Sequence, residues 1–187
     1  MPNKNKFNKV MIETAKIWAE LSPCKRLQVG AVLAKDNRIL ANGYNGTLTG
    51  AENICECYEK FENIDEIQEA DSEVKITCTL CNGSGETHLK GTPYSDKCYK
   101  CDGHGFLKSL NKTNDLTLHA EQNIITFCAK NGISTAGATM YITHSPCKQC
   151  SKLIAQSGIK TVYYNKEYKD KDGIKFLEEN GVKVWKT

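Results

Sequence analysis

Apolar residues near the start of the chain recur at the spacing of one helix face: Phe7, Val10, Met11, Ala15, Trp18 and Leu21. This period predicts a first amphipathic helix over residues 7–21. Ser22-Pro23 is expected to end it, because proline disfavours the helical conformation of the residue before it. The apolar run from Val29 to Ala34 and the segment from Arg38 to Ala41 flank Asp36-Asn37, which predicts a β-hairpin with a tight turn.

The later part of the chain alternates between strand and helix patterns. Strands are predicted at residues 139–143, 161–164 and 182–185, and helices at 119–131, between Ser145 and Gly158, and at 170–179. Gly132 is expected to close the first of these helices, and Ser145 to cap the second with Pro146 in its first turn. The alternation indicates parallel strands with right-handed crossovers. With the hairpin added, we expect a three-layer α/β/α fold around one mixed sheet of about five strands.

The middle of the chain differs in composition. Residues 51–75 are acidic and are interpreted as a solvated helix and linker. Residues 76–108 are rich in cysteine and glycine. We therefore expect one domain over residues 1–187, with residues 76–108 as a small inserted module.

The composition excludes several classes of protein. No apolar run approaches the roughly 20 residues that a membrane helix needs, and the N-terminal residues do not have the pattern of a signal peptide. The net charge of +3 comes from basic residues spread along the chain, so no nucleic-acid partner is expected. Six of the ten cysteines form three C-x-x-C pairs, which favours metal binding in a reducing compartment over a disulfide framework. We expect a cytoplasmic protein, in the host cytoplasm if the chain is viral.

One set of residues has the spacing of a catalytic zinc site. His119 is followed by Glu121, and Cys147 is followed by Cys150. One imidazole and two thiolates hold a zinc ion on three sides and leave the fourth position open for water, while an H-x-E glutamate transfers protons. Both clusters fall at predicted helix starts, where the helix dipole favours thiolates.

Two other interpretations of these residues remain open. A structural zinc would need a fourth protein ligand, which Cys24 or His144 could supply. A lone C-x-x-C could also be a redox pair, but no thioredoxin-like βαβ pattern precedes Cys147.

A second metal site is predicted in the inserted module. Two copies of C-x-x-C-x-G-x-G place Cys78, Cys81, Cys98 and Cys101 at the spacing of a four-cysteine structural zinc site. The glycines allow the chain to wrap around a metal with positive φ. The pattern is similar to the zinc modules of DnaJ-type chaperones, and a partner-binding finger is the alternative role.

Two segments resemble motifs of the cytidine/deoxycytidylate deaminase superfamily: His119-Ala120-Glu121-Gln122-Asn123 and Ser145-Pro146-Cys147-Lys148-Gln149-Cys150. Val29-Gly30-Ala31-Val32-Leu33, Gly43-Tyr44-Asn45-Gly46-Thr47 and the strand leading into Ser145-Pro146-Cys147 are similar to its deoxycytidylate (dCMP) deaminases, especially the phage and viral members. The resemblance covers roughly residues 7–50 and 115–186. It departs from the family pattern at Leu48, where proline is usual.

The resemblance implies a mechanism and a set of binding residues. Zinc-activated water attacks C4 of the cytosine of dCMP, Glu121 carries protons to N3 and to the leaving amino group, and dUMP and ammonia are formed. By position, Asn45 would contact the sugar and the Ala120 N–H the base carbonyl, and Ser145 would also contact substrate. Lys25 and Arg26 are candidates for the 5′-phosphate because phosphate favours charge-assisted donors.

The same resemblance implies regulation and assembly. It suggests a homohexamer activated by dCTP and inhibited by dTTP, with Mg²⁺ accompanying the nucleotide and the loop Gly43–Gly46 in the effector site. Some relatives bind an extra zinc, for which Cys24, Cys55 and Cys57, with His88 or His104, are candidates here. The alternative functions are a base deaminase acting on RNA or single-stranded DNA, and a zinc-dependent binding module.

Overall fold

The computed structural model describes residues 4–72, 75–88 and 95–187. Residues 73–74 of the predicted acidic linker and residues 89–94 of the predicted cysteine module lie outside these ranges. The chain divides into two compact units, one made of Met1–Leu48 with Thr117–Thr187 and the other of Thr49–Leu116.

Within the described ranges the chain forms five helices and twelve strands. The helices are α1 (Lys4–Ala19), α2 (Ile64–Glu69), α3 (Ala120–Lys130), α4 (Lys148–Gln156) and α5 (Asp172–Glu179). The strands are β1 (Gly30–Lys35), β2 (Arg38–Tyr44), β3 (Gly46–Thr47), β4 (Glu56–Glu59), β5 (Lys75–Thr77), β6 (Glu86–His88), β7 (Ser95–Lys97), β8 (Phe106–Thr113), β9 (Thr117–Leu118), β10 (Thr139–His144), β11 (Thr161–Lys166) and β12 (Lys183–Lys186).

The first unit is built on a five-stranded mixed sheet in the order β12-β11-β10-β1-β2. Strand β1 pairs antiparallel with β2 and β10, whereas β10, β11 and β12 run parallel. The hairpin turns at Asp36 and Asn37, whose φ values of 50° and 60° are those of a tight left-handed turn. The predicted mixed sheet and its antiparallel hairpin are confirmed.

Alternating side chains of the sheet supply two separate cores. Leu33 and Met140 point to the side of α3, α4 and α5, where they pack in one buried cluster with Ile124, Ile154 and Leu177. Their neighbours Val32 and Tyr141 pack on the opposite side with Met11, Ile12 and Ala15 of α1. Successive residues of a strand face opposite sides of a sheet, so this alternation produces the predicted three layers.

Two local predictions in the first unit are wrong. Gly43 and Tyr44 are the end of β2 and not a loop, and Gly46 begins β3, which pairs with β9. Ser145 does not cap α4, because Cys147 is the N-cap and Pro146 precedes it. Ser145 instead accepts a hydrogen bond from the Tyr168 N–H at 2.8 Å, which ties it to the loop after β11.

The second unit contains the sheet β4-β8-β5, the hairpin β6-β7 and the short helix α2. The prediction of a solvated linker before residue 75 is wrong in part, because Ile54, Phe61 and Ile67 are buried. Ile54 packs with Ile76 and Leu107 around the four cysteines. This burial depends on pairing with β8, about fifty residues further along the chain, so local composition gives no signal of it.

None of the helices in the described ranges is long and apolar enough to cross a membrane.

Candidate active site

Two helix N-termini carry the candidate zinc ligands. His119 is the N-cap of α3, and Cys147 is the N-cap of α4. Both N-caps are extended, with φ and ψ of −73° and 158° at His119 and −70° and 165° at Cys147. Cys150 lies in the first turn of α4, so the sulfurs of Cys147 and Cys150 face the same side of that helix.

The three ligand atoms lie at distances that fit one zinc ion. His119 Nδ1 is 3.6 Å from Cys147 Sγ and 3.3 Å from Cys150 Sγ. Tetrahedral zinc bonds of about 2.3 Å to sulfur and about 2.0 Å to nitrogen place such atoms roughly 3.5 Å apart. The chain therefore supplies three ligands here.

The electrostatics of the trio favour a thiolate at Cys147. Interaction with Cys150, and then with the His119 imidazole, lowers the pKa of Cys147 to about 4 although burial opposes this. The hydrogen bond to Cys147 raises the pKa of His119. The nearby Cys147 thiolate and burial raise the pKa of Cys150. A divalent cation reverses both of these last effects, because a coordinating thiol is deprotonated outright and a coordinating imidazole is neutral.

Glu121 lies beside the trio, and its side chain is only 4% exposed. Burial raises the pKa of its carboxyl above the usual range, and this carboxyl also interacts with the Cys150 thiol. A raised pKa makes a carboxylate a stronger base and extends the pH range over which its protonated form can act as an acid. This is the behaviour required of a general acid–base residue.

The Asn45 side chain holds the loop between α1 and β1. Its Oδ1 accepts a hydrogen bond from the Val29 N–H at 2.7 Å, and its Nδ2 donates to the Leu27 carbonyl at 2.8 Å. Lys25 and Arg26 lie exposed in this loop. Asn45 therefore orders the segment that carries the two candidate phosphate ligands.

The other predicted substrate contacts lie at the starts of the two helices. Ala120 is the fully buried first residue of α3, where backbone N–H groups have no partner within the helix. Ser145 is buried, and its N–H donates to the Lys166 carbonyl at 2.8 Å.

Two side chains to which the sequence assigned no role, Gln122 and Asn123, support this site. Gln122 Oε1 accepts a hydrogen bond from the His119 N–H at 2.7 Å, and Asn123 Nδ2 donates to the Tyr44 carbonyl at 2.7 Å. A glutamine three residues after an N-cap is a recognised helix-start signal, so Gln122 was detectable in the sequence. Asn123 carries no such signal, because its partner is 79 residues away.

The second unit contains the other cluster of candidate metal ligands, Cys78, Cys81, Cys98 and Cys101, all of them buried. Cys78 and Cys98 have their sulfurs 3.8 Å apart, and Cys81 and Cys101 have theirs 3.6 Å apart. Four thiolates around one zinc lie roughly 3.8 Å from one another, given bonds of about 2.3 Å. The cluster therefore fits a four-cysteine zinc ion.

The two C-x-x-C-x-G-x-G segments pack as near copies of each other. Cys78 N–H donates to the Gly105 carbonyl at 2.9 Å, and Cys98 N–H donates to the Gly85 carbonyl at 2.8 Å. Burial opposes ionisation of Cys81, but backbone hydrogen bonds from Gly85 and Gly83 contribute to a pKa lowered to about 7. Backbone donors thus stabilise thiolate where a cation would bind.

The candidates for a further zinc lie outside both groups. The ranges that the structure describes contain two groups of three or more potential ligands. Within each group, the ligand atoms all lie within 4.8 Å of one another. Cys24, Cys55, Cys57, His88 and His104 belong to neither group.

Comparison with known proteins agrees with this geometry. The family model of the cytidine and deoxycytidylate deaminase zinc-binding region matches residues 3–166. The crystal structure of dCMP deaminase from the cyanophage S-TIM5, in complex with dCMP and dUMP, is 33% identical, covers 99% of both chains and superposes with a TM-score of 0.67.

Curated relatives show the same family. Deoxycytidylate deaminase of Enterobacteria phage T4 is 34% identical over 178 residues, covering 94% of this chain and 86% of the phage protein. ComE operon protein 2 of Bacillus subtilis is 32% identical over 163 residues, and the match spans 61% of that protein's length. The zinc-ligand geometry, the fold and these matches together show that the chain belongs to the cytidine and deoxycytidylate deaminase zinc-binding family.

Proposed function

We propose that this chain catalyses the hydrolytic deamination of dCMP to dUMP and ammonia, which supplies dUMP for thymidylate synthesis. The observation that carries the proposal is the cluster of His119, Cys147 and Cys150 beside a buried Glu121. It lies in a chain whose match to a dCMP deaminase extends over 99% of both molecules.

His119, Cys147 and Cys150 would hold a zinc ion, which would supply a Lewis acid that lowers the pKa of the attacking water. Glu121 accepts the proton of that water as it attacks C4 of cytosine. The same carboxyl delivers this proton to N3, then takes the remaining proton of the new C4 hydroxyl and passes it to the amino group. The C4–N bond breaks as the C4 carbonyl forms, and the amino group leaves as ammonia. Burial keeps Glu121 from bulk solvent, so each proton remains within the site.

Substrate binding is proposed to use both helix starts and the α1–β1 loop. The N–H of Ala120, at the positive end of α3, is proposed to contact the base carbonyl. Asn45 is proposed to contact the sugar, because each of its amide atoms retains hydrogen-bonding capacity beyond the bond it makes to the loop. Lys25 and Arg26 are proposed to bind the 5′-phosphate, and Ser145 to contact the base.

The test is ammonia release from dCMP, dCTP, deoxycytidine and a single-stranded oligonucleotide. We expect dCMP to be the preferred substrate by at least about tenfold in kcat/KM. Preference for the oligonucleotide would replace the proposal with a base deaminase acting on nucleic acid. Absence of turnover on all four, in protein that contains zinc, would favour an inactive binding module.

We further propose that the enzyme is a homo-oligomer, a hexamer by resemblance, activated by dCTP and inhibited by dTTP with Mg²⁺. Apolar side chains exposed on α1, α3 and α4 support assembly. The strand end Gly43–Tyr44, with Asn45 and Gly46, is the proposed effector region. Rates at subsaturating dCMP with each nucleotide, with and without Mg²⁺, test the regulation, and light scattering tests the assembly.

A structural zinc in the second unit is proposed on the fit of the four cysteines. A unit this small has a limited core, so metal binding should contribute to its folding. Metal analysis should find two zinc ions per chain. One zinc ion per chain would contradict either this site or the trio. A Cys147→Ala/Cys150→Ala variant would then show which site holds the ion, because it removes two ligands of the trio and leaves the four cysteines unchanged.

A further inference from the structure

The first turn of α5 presses directly on the backbone that carries a zinc ligand. Gly173 is buried, and a Cβ atom added to it would lie 2.0 Å from the Pro146 carbonyl oxygen and 2.9 Å from the carbonyl carbon of Cys147. Both neighbours are backbone atoms, so no side-chain rotation could relieve the overlap. Any side chain at this position would move the loop, the helix or both.

Glycine is an unfavourable choice inside a helix, where alanine is better by about 1 kcal/mol. Gly173 is not among the glycines with positive φ, so backbone conformation does not require it. The close approach of α5 to Pro146 and Cys147 is therefore the physical reason for glycine here.

The segment Ser145–Cys147, which leads into α4, also makes contacts with residues that follow β11. The Ser145 N–H donates to the Lys166 carbonyl, and Ser145 Oγ accepts from the Tyr168 N–H, each at 2.8 Å. Pro146, between Ser145 and the ligand, is completely buried. Lys148 Nζ also lies 3.8 Å from Asp172 Oδ2, which joins the first turns of α4 and α5.

Metal centres depend on such support, because ligands must be held within roughly 0.5 Å of their productive positions. Cys147 precedes the regular part of α4, so that helix alone does not fix it. We propose that segment 166–173, with Gly173 at its point of contact, is a positioning element that fixes Cys147 relative to His119 and Cys150. The inference rests on the proposed metal centre and not on the identity of the substrate.

The test is a Co²⁺ titration of the metal-free full-length chain, followed by thiolate-to-cobalt charge-transfer and d–d absorption. Subtracting the signal of a Cys147→Ala/Cys150→Ala variant isolates the trio. Gly173→Ala is expected to weaken Co²⁺ binding at the trio at least about tenfold, the usual effect of losing support for a metal ligand. The band positions should shift as the ligand geometry changes.

Gly30→Ala is the matched control. Its added Cβ would lie 2.0 Å from the Ala15 carbonyl oxygen and 2.5 Å from the Ala19 nitrogen, so it forces a similar overlap against α1. It should lower the melting temperature but leave Co²⁺ affinity and band positions unchanged. Ser145→Ala is a second variant in case Gly173→Ala fails to fold. It removes the hydrogen bond to the Tyr168 N–H and should weaken Co²⁺ binding at the trio several-fold.

The outcomes separate the two proposals. Failure of the unaltered chain to bind Co²⁺ at the trio would overturn the metal centre and this inference with it. Normal binding by the unaltered chain, with unchanged affinity and spectrum in both the Gly173 and Ser145 variants, would overturn the positioning role alone.

Discussion

At the scale of single residues, the chain places polar groups where burial changes their behaviour. Glu121 is the clearest case, because desolvation raises the pKa of a carboxyl that the proposed chemistry uses both as an acid and as a base. The H-x-E spacing identified this glutamate, but its burial depends on side chains from distant segments. Sequence alone therefore predicted its role and not its environment.

Asn45 gives a prediction about stability. Asn45→Ala removes both side-chain hydrogen bonds to the 27–29 backbone and leaves a donor and an acceptor unpaired. We expect a loss of about 2 kcal/mol in the free energy of unfolding, measured by urea denaturation. Asn42→Ala, in the adjoining strand β2, is the control. Equal stability of the two variants would contradict the loop-ordering role of Asn45.

Tyr141 gives a prediction about alkaline pH. Its ring is 3% exposed and faces Phe7, Asn8 and Tyr163, with its hydroxyl donating to Asn8 Oδ1 at 2.9 Å. Burial, and then the neighbouring Tyr163, raises the pKa of Tyr141 to about 12. Between about pH 10 and 12 the unfolded chain releases this proton and the folded chain keeps it, so stability falls as pH rises.

The measurement is the urea midpoint between pH 9 and 11.5. Tyr141→Phe should lose less stability over this range than the unaltered chain. At neutral pH its free energy of unfolding should be lower by about 1 kcal/mol, because the hydrogen bond to Asn8 is gone. Tyr168→Phe should keep the original slope. Parallel pH curves for the unaltered chain and Tyr141→Phe would contradict the assignment.

At the scale of elements, the two C-x-x-C-x-G-x-G segments, called knuckles below, contact each other at glycines. A Cβ on Gly85 would lie 2.2 Å from the Gly103 carbonyl oxygen, and one on Gly105 would lie 2.2 Å from that of Gly83. Both glycines also have positive φ, at 80° and 77°. Each knuckle therefore requires a residue without a side chain where it meets the other.

Gly85→Ala should accordingly disturb the four-cysteine site. We expect zinc to be lost to a chromogenic chelator at least about tenfold faster, because the knuckles can no longer approach. Gly50→Ala is the control in the same unit, since Gly50 also has positive φ but nothing lies within 4 Å of its added Cβ. Equal rates of zinc loss from these two variants would contradict the role of this contact.

The regular elements of the first unit were predictable because their signals are local. The apolar run at residues 29–34 and the Asp36-Asn37 turn specify the β1–β2 hairpin within one short stretch. Strands β4 and β5 carry no comparable signal, because each pairs with β8 and not with a neighbour in the sequence. The strands β4 and β5 could therefore not be predicted from local composition, because they form by pairing with distant residues.

At the scale of the whole molecule, sequence motifs led to the family, whereas assembly depends on surfaces that only the fold reveals. Val10 and Ile17 are seven residues apart on α1 and are 50% and 64% exposed. Residues at this spacing share a helix face. Both side chains are apolar, and neither belongs to a core cluster of its own chain.

If the proposed oligomer uses this face, Val10→Lys/Ile17→Lys should dissociate it into smaller species, measured by light scattering, while helicity measured by circular dichroism is retained. The two new charges would be buried unpaired in an interface that contains this face. Glu178→Lys, an equal change of +2 on the exposed side of α5, should leave the assembly intact. Unchanged mass of the double variant would exclude this face of α1 from the interface.

Glu121 is proposed to move protons for a deamination at a zinc ion that His119, Cys147 and Cys150 would hold. The most direct measurement is dUMP formation from dCMP by the unaltered chain, Glu121→Gln and the exposed-site control Glu178→Gln, with the zinc content of each. We predict equal zinc in all three, equal turnover in the control, and a loss of at least about 100-fold in kcat for Glu121→Gln. Near-normal turnover by Glu121→Gln with its full zinc content would contradict the account.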